Sequence, residues 1–280
     1  MSLAHESAEL PDGQTLVPRP RRSAMYSGNA RAVFARGMRA QWQGSLWVML
    51  SGFAEPVLFL FAMGLGLGSM IGPMSDAAGN QISYAAYIAP ALLATSAMNG
   101  AVYDSTWNVF FKLRISKLYD GMLSTSLGPM DIALGEIGVA LVRGGVYSVG
   151  FSVVMTALGL VSSPWMLLAV PACLLIAFGF AAAGMAATSF LTSFQQMDLL
   201  GLVLLPLFLF SGTFYPLSVY PPAVQTIIQI LPLWHGVELL RDLSWGAVGL
   251  DTLGHASYYA VLAVLGTWVT AVRLRALFLR

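Results

Sequence analysis

The chain has 280 residues, of which 57% are hydrophobic and only 10% are charged. Soluble globular proteins carry about 25% charged residues, and the mean hydropathy of this chain is +0.73. No Asp, Glu, Lys or Arg occurs from Gly144 to Met197 or from Leu199 to Val237. A membrane-spanning helix needs about 20 apolar residues. The composition therefore excludes a soluble enzyme and predicts an all-α polytopic membrane protein.

The N-terminal region differs from the rest of the chain because it is polar. Residues 1–26 combine several prolines with charges and predict a disordered cytosolic tail. In residues 27–44, a helix would place Phe34, Met38 and Trp42 on one stripe that is too short and too charged to span a bilayer. This pattern predicts an interfacial helix lying along the membrane. The alternative is that it forms the start of the first span.

Six apolar segments are long enough to cross a bilayer. They are residues 46–68, 83–103, 132–161, 165–190, 199–214 and 256–272. Six spans place both termini on one side, and 12 of the 14 Lys and Arg residues fall on that side. The positive-inside rule identifies it as the cytosolic side. We therefore expect both termini, including residues 276–280, to be cytosolic.

The longest charged stretch between spans on the cytosolic side is residues 104–122. A helix here would have one narrow apolar face. That face consists of Phe111, Ile115, Leu118 and Met122, and the basic residues beside it are Lys112, Arg114 and Lys117. Such a helix serves either as an anchor on anionic lipid or as a docking surface for a soluble partner. The pattern favours neither alternative.

The segment between the fifth and sixth spans, residues 215–255, is dense in apolar residues but contains four prolines. Because proline interrupts a regular helix, this segment predicts two short re-entrant helices that dip into the outer leaflet. Glu238 and Arg241 have the spacing of a pair within one helix. That pair is either an ordinary ion pair or part of a gate.

Two charges lie deep within predicted spans, Glu55 and Arg143. A charge at the bilayer centre costs about 2.5–3.5 kcal/mol on insertion scales, so each should face protein or water. We expect them to act in the transport pathway or in conformational coupling, and their opposite signs allow them to pair. Glu136 is a rival partner for Arg143. The alternative is that both charges extend to a membrane edge.

Two stretches of the sequence carry a family pattern. The first runs from Leu209 to Gln225 (LFSGTFYPLSVYPPAVQ) and continues at Leu231–Arg241 (LPLWHGVELLR). The second is Tyr119–Glu136 (YDGMLSTSLGPMDIALGE), in which the usual Thr-Pro-Leu becomes Thr-Ser-Leu with the proline displaced to Pro129. Together they resemble the permease subunit of type-2 ABC exporters, a family that includes nodulation-factor, daunorubicin-resistance and O-antigen or teichoic-acid export permeases.

The resemblance covers residues 27–275 and implies a role for each unusual segment. It implies that residues 104–122 are a coupling helix, that residues 27–44 are the family's amphipathic helix, and that residues 215–255 are its extracellular re-entrant segment. The implied coupling residues are Phe111, Lys112, Arg114, Ile115, Lys117, Leu118, Tyr119 and Asp120. The implied gate residues are Tyr215, Pro216, Tyr220, Pro221, His235, Glu238 and Arg241.

The ATP-binding P-loop has the pattern Gly-x4-Gly-Lys-[Ser/Thr]. Neither of the two lysines, Lys112 and Lys117, stands in this pattern. We therefore expect a partner to supply the energy for transport. We expect a permease without catalytic residues, metal or cofactor of its own, whose ATP and Mg²⁺ are bound by two copies of a partner ABC ATPase. The resemblance implies a pair of permeases, identical or closely homologous, that meet along the first and fifth spans in a bacterial cytoplasmic membrane. The sequence contains no basic domain of the kind that would indicate nucleic-acid binding.

The expected cargo is hydrophobic or amphipathic: a drug-like molecule, a lipid or a glycolipid. The alternative function is a secondary, ion-coupled transporter, which would use an intramembrane carboxylate such as Glu55. An intramembrane enzyme ranks third, because the sequence contains neither Gly-x-Ser-x-Gly nor His-Glu-x-x-His.

Overall fold

The computed structural model describes residues 25–42, 54–75 and 79–278. Predictions for residues 1–24, 43–53, 76–78 and 279–280 lie outside the described residues. These ranges include most of the predicted tail and the first part of the first span.

The described residues form ten helices and one short hairpin. In chain order they are α1 (Ala30–Trp42), α2 (Ala54–Ile71), β1 (Met74–Ser75), β2 (Gln81–Ile82), α3 (Tyr84–Ile115), α4 (Leu118–Leu123), α5 (Pro129–Ala157), α6 (Pro164–Phe190), α7 (Phe194–Phe210), α8 (Pro222–Ile230), α9 (Pro232–Trp245) and α10 (Leu250–Phe278). A single 3₁₀ turn, Leu217–Val219, lies between α7 and α8.

Five of these helices, α2, α3, α5, α6 and α10, are long and apolar enough to cross a bilayer. The apolar helix α7 is shorter, and α8 and α9 form a pair bent by 86°. The prediction of an all-α polytopic membrane protein is therefore confirmed. We call the end of the bundle where α3 finishes the near end, and the end where α3 starts the far end.

Several helix boundaries differ from the sequence prediction, and three of the differences have a local cause. α3 continues as one helix to Ile115, because two π-helical stretches carry the polar residues from Asp104 onward without breaking it. α5 begins earlier, at Pro129, since proline is well suited to the first helical position. α7 ends at Phe210 rather than at residue 214, because Gly212 has a φ of +71°.

The central helix of the bundle is α3, and 94% of an apolar stretch of 18 residues within it is buried inside the protein. It packs against α5, α6 and α9, and its sequence is rich in alanine. Small residues let membrane helices approach closely. At Gly100 an added Cβ would lie 3.0 Å from the Cα of Gly144 on α5, so the two backbones are almost in contact.

Helix α1 is held on the near end of α5 by one carboxylate. Asp131 accepts hydrogen bonds from the backbone N–H groups of Ser27 and Asn29, at 2.9 Å each, and of Gly128 at 2.8 Å. Val33 and Gly37 of α1 are buried against α5, whereas Trp42 is 72% exposed. A buried charge-assisted cap therefore fixes α1 beside the bundle.

The last helix, α10, packs most extensively against α6. At Gly266 an added Cβ would lie 2.6 Å from the carbonyl carbon of Ala182 and 2.9 Å from its oxygen. These are backbone atoms, which cannot turn aside as a flexible side chain would. The α6–α10 contact therefore requires glycine at this position.

We expect Gly266→Ala to destabilise the protein by about 1–3 kcal/mol, since overpacking a close interface forces the backbones apart. Gly254→Ala is the matched control on the same helix, because nothing lies within 4 Å of its added Cβ. Thermal unfolding in detergent should show a lower midpoint for Gly266→Ala only. Equal midpoints for the two variants would contradict the proposed close contact.

Candidate functional site

The predicted coupling helix is two elements rather than one. Residues 104–115 are the last turns of α3, which ends at Ile115, and α4 begins at Leu118. Between them Lys117 has a φ of +48°, a left-handed conformation unusual for a residue other than glycine. The four-residue apolar stripe expected from the sequence is therefore divided at Lys117.

The predicted coupling residues before Lys117 also differ in exposure from those after it. At the end of α3, Phe111 and Ile115 are 54% and 55% exposed. In α4, Tyr119 is fully buried, Leu118 is half-buried and Asp120 is exposed. Large apolar side chains exposed at a polar end of the bundle indicate an interaction surface. We call Phe111, Ile115 and Lys117 the near-end patch.

Two of the predicted docking cations contact the protein itself. The Nζ of Lys112 lies 2.5 Å from Oε2 of Glu136 on α5. The Nε of Arg114 donates a hydrogen bond of 3.0 Å to the carbonyl oxygen of Leu191, in the link between α6 and α7. These contacts connect the end of α3 to α5 and to the link between α6 and α7.

An aromatic contact strengthens the connection to α7. The ring of Phe194, at the start of α7, meets Trp107 edge-on at 5.5 Å and Phe110 at 6.5 Å between ring centroids. Packed aromatic rings therefore connect the last turns of α3 to the start of α7.

Arg143 has a partner that the sequence analysis did not identify. Its Nε lies 2.8 Å from Oδ2 of Asp104, and both side chains are more than nine-tenths buried. Gln41 of α1 donates a hydrogen bond to the same carboxylate at 3.0 Å, and Asn108 donates another. This cluster joins α1, α3 and α5 at one buried carboxylate.

The hypothesised Glu55–Arg143 pair and its rival with Glu136 are therefore both wrong. Arg143 pairs with Asp104, and Glu136 pairs with Lys112. The sequence analysis placed Asp104 at the start of a separate cytosolic helix after the second span, whereas α3 continues through it without a break. Its position within one helical turn of a predicted span was the available signal, since an acidic residue there can reach an in-span arginine.

A cavity of about 450 Å³ adjoins this cluster. It lies between α2, α3, α5 and α7. Its polar and aromatic wall consists of Glu55, Thr95, Asn99, Tyr103, Trp107, Arg143 and Tyr147, and its apolar wall of Met98, Val102, Leu204, Leu205 and Phe208. The structure thus places Glu55 and Arg143 on one cavity, although they do not pair.

At the far end, Arg241 connects two parts of the family pattern, the Ser-Gly pair after α7 and the arginine of α9. Its Nη2 donates a 2.6 Å hydrogen bond to the carbonyl oxygen of Gly212, and its Nη1 donates one of 2.8 Å to Glu238. The guanidinium also lies 4.1 Å from the ring centre of Tyr87 on α3. Arg241 therefore holds the α7–α8 loop, α9 and α3 together.

The other predicted gate residues surround this contact. Pro221 and Pro222 start α8, and Pro232 starts α9, which accounts for the sharp bend between them. Tyr215 is 52% exposed, and Pro216 precedes the 3₁₀ turn. The carbonyl oxygen of Tyr220 accepts a 2.7 Å hydrogen bond from Gln225.

His235 contacts a second histidine, which the sequence analysis did not connect with it. Its Nδ1 lies 2.8 Å from Nδ1 of His255 on α10, and its ring stacks on Tyr258 at 4.0 Å. Their separation of 20 positions gave no sequence signal, because only the packing of α9 on α10 brings the two rings together. A cleft of about 860 Å³ opens beside them. The described residues contain no group of three or more His, Cys, Asp or Glu side chains that could hold a metal ion.

Comparison with known proteins places this architecture in a family. Residues 29–245 match the model of the ABC-2 type transporter family. "Nodulation protein J" of Rhizobium leguminosarum bv. trifolii is 31% identical over 250 residues, which are 89% of this chain and 94% of that protein. The protein of the same name from Rhizobium meliloti (strain 1021) is 30% identical over 236 residues, covering 82% of this chain and 88% of that protein.

A relative of lower identity is named as a transport permease. "Inner membrane transport permease YadH" of Escherichia coli (strain K12) is 26% identical over 213 residues, which are 74% of this chain and 78% of that protein. Since the family match and these identities extend over most of the chain, the protein belongs to the ABC-2 type transporter family.

Proposed function

We propose that the chain is the membrane permease subunit of an ATP-driven exporter that moves a hydrophobic or amphipathic substrate outward across the bacterial cytoplasmic membrane. Membership of the ABC-2 type transporter family is the observation that carries this proposal. The chain works as a pair of permeases together with two separate ATPase subunits, which bind ATP and Mg²⁺. In this arrangement both termini and the near-end patch face the cytosol.

The near-end patch is the docking surface for the ATPase. Phe111 and Ile115 offer exposed apolar side chains, and Lys117 adds a positive charge at the exposed break between α3 and α4. Apolar residues surrounded by polar ones form the buried centre of typical protein interfaces. Because Arg114 and Phe194 link this region to α7, docking is coupled mechanically to a helix that lines the cavity.

The cavity and the Arg241 contact are the two ends of the proposed path. The substrate enters the cavity between α2, α3, α5 and α7 from the cytosolic half of the membrane. The pair of permeases meets along α2 and α7, whose apolar side chains include Leu58, Leu202 and Val203, each more than 60% exposed. Arg241 holds the outer loop closed until the cavity is loaded.

We expect a tagged chain, isolated from its native membranes, to carry an ATPase whose sequence contains a P-loop. Replacing both patch residues, Phe111→Asp and Ile115→Asp, should release the ATPase and abolish ATP hydrolysis in the preparation, because two charges would be buried at the interface. The measurement is the ATPase-to-permease ratio after affinity purification. Val248→Asp, an exposed apolar residue in the far-end loop between α9 and α10, is the control and should leave the ratio unchanged. An unchanged ratio in the double patch variant would refute the docking surface.

The Asp104–Arg143 pair should behave as a unit. Asp104→Asn and Arg143→Gln each leave one buried charge without its partner, which costs about 3–5 kcal/mol. The double variant removes both charges and should lose less stability than the two single losses added together.

Thermal unfolding of the four proteins in detergent measures this interaction. Asp198→Asn, which changes an exposed carboxylate near the start of α7, is the control and should keep the wild-type midpoint. If the losses simply add in the double variant, the two charges act independently and the pair has no role in holding α3 to α5.

A further inference from the structure

The cavity between α2, α3, α5 and α7 has an unbalanced charge. Arg143 is neutralised by Asp104, which is its ion-pair partner. Glu55 lines the same cavity, and no described Lys, Arg or His side chain lies within ion-pair distance of it. The adjacent residues 43–53 contain no charged side chain. The carboxylate of Glu55 is therefore the net charge that this cavity presents to a ligand.

The wall around Glu55 is suited to a cation. Tyr103, Trp107, Tyr147 and Phe208 contribute aromatic rings to the cavity lining. The faces of such rings attract cations, and the attraction increases when water is excluded. The ring of Tyr103 already contacts a cation, since the guanidinium of Arg143 lies 5.2 Å from its centre.

The cavity lining also contains apolar side chains. They are Met98 and Val102 of α3 and Leu204 and Leu205 of α7. A ligand that fills the cavity thus meets hydrocarbon as well as aromatic rings and a carboxylate. Binding sites of this kind bury an apolar body and fix its orientation through a few polar groups.

We propose that this cavity binds an amphipathic organic cation, with its charge at Glu55 among the aromatic rings and its apolar body against α3 and α7. The proposal deepens the proposed function and rests on it, because it names the substrate class of the exporter. Glu55 is exposed and has no cationic partner among the described residues, so a cationic substrate supplies the opposite charge. An anion of the same size would be repelled by Glu55 and would find Arg143 already paired.

Two probe ions of similar shape and opposite charge test the proposal. Tetraphenylphosphonium is a permanent apolar cation, and tetraphenylborate is its anionic counterpart. Equilibrium binding of each probe is measured on the full chain, with whatever subunits co-purify, in nanodiscs of phosphatidylcholine. Binding to empty nanodiscs is subtracted, because both ions dissolve in lipid.

We expect saturable binding of tetraphenylphosphonium to the wild-type protein and to Glu55→Asp, which keeps the charge. Glu55→Gln should weaken that binding by about tenfold or more, since it removes the charge–charge attraction in a site of low dielectric constant. Asp198→Asn should bind as the wild type does. Tetraphenylborate should show no saturable binding to any of the proteins.

Equal binding of the two probes to the wild-type protein, or an unchanged affinity in Glu55→Gln, would overturn the proposal. If Glu55→Gln does not fold, as its thermal unfolding would show, the comparison of the two probes on the wild-type protein and Glu55→Asp decides. The proposed function is judged separately, because the co-purification of an ATPase does not depend on the charge of the probe.

Discussion

Asp104 and Arg143 lie in the interior of an apolar helix bundle, where a buried charge without a partner of opposite sign is costly. This requirement to pair buried charges determines the organisation of the near end. Asp104 lies on α3, Arg143 on α5, and Gln41 of α1 bonds to the same carboxylate, so one ion pair brings three helices together. A second ion pair, Lys112–Glu136, also joins α3 to α5 and lies closer to the end of α3.

The same requirement operates at the far end and connects the two ends of α3. Arg241 is 4% exposed and satisfies its charge with Glu238, the carbonyl of Gly212 and the ring of Tyr87. α3 therefore contacts charged groups near each end, through its own Asp104 and Lys112 at the near end and through the ring of Tyr87, which meets Arg241 of α9, at the far end. α7 packs on the end of α3 through Phe194, and the loop that follows α7 accepts a hydrogen bond from Arg241 at Gly212. We propose that α7 transmits a movement at the near-end patch to the outer loop.

The sequence predicted the fold class and the positions of the apolar helices, because charge-free stretches and turn prolines act locally. It also predicted the Glu238–Arg241 pair, whose members are one helical turn apart. It could not predict the partner of Arg143, since Asp104 lies 39 positions away on another helix and was assigned to a cytosolic segment outside the spans. Nor could it predict that Tyr119 is buried while Phe111 and Ile115 are exposed, because the left-handed turn at Lys117 changes the direction of the chain.

The central claim is that a separate ATPase acts on the end of α3. Site-specific cross-linking measures this contact directly, and the single native Cys173 is buried and easily replaced. A photoreactive maleimide on Cys introduced by Ile115→Cys, in a Cys173→Ala background, is compared with the same label introduced by Val248→Cys. The account predicts a cross-link from position 115, and none from position 248, to a protein whose sequence contains a P-loop. Capture of that ATPase only from position 248, or from neither position, would contradict it.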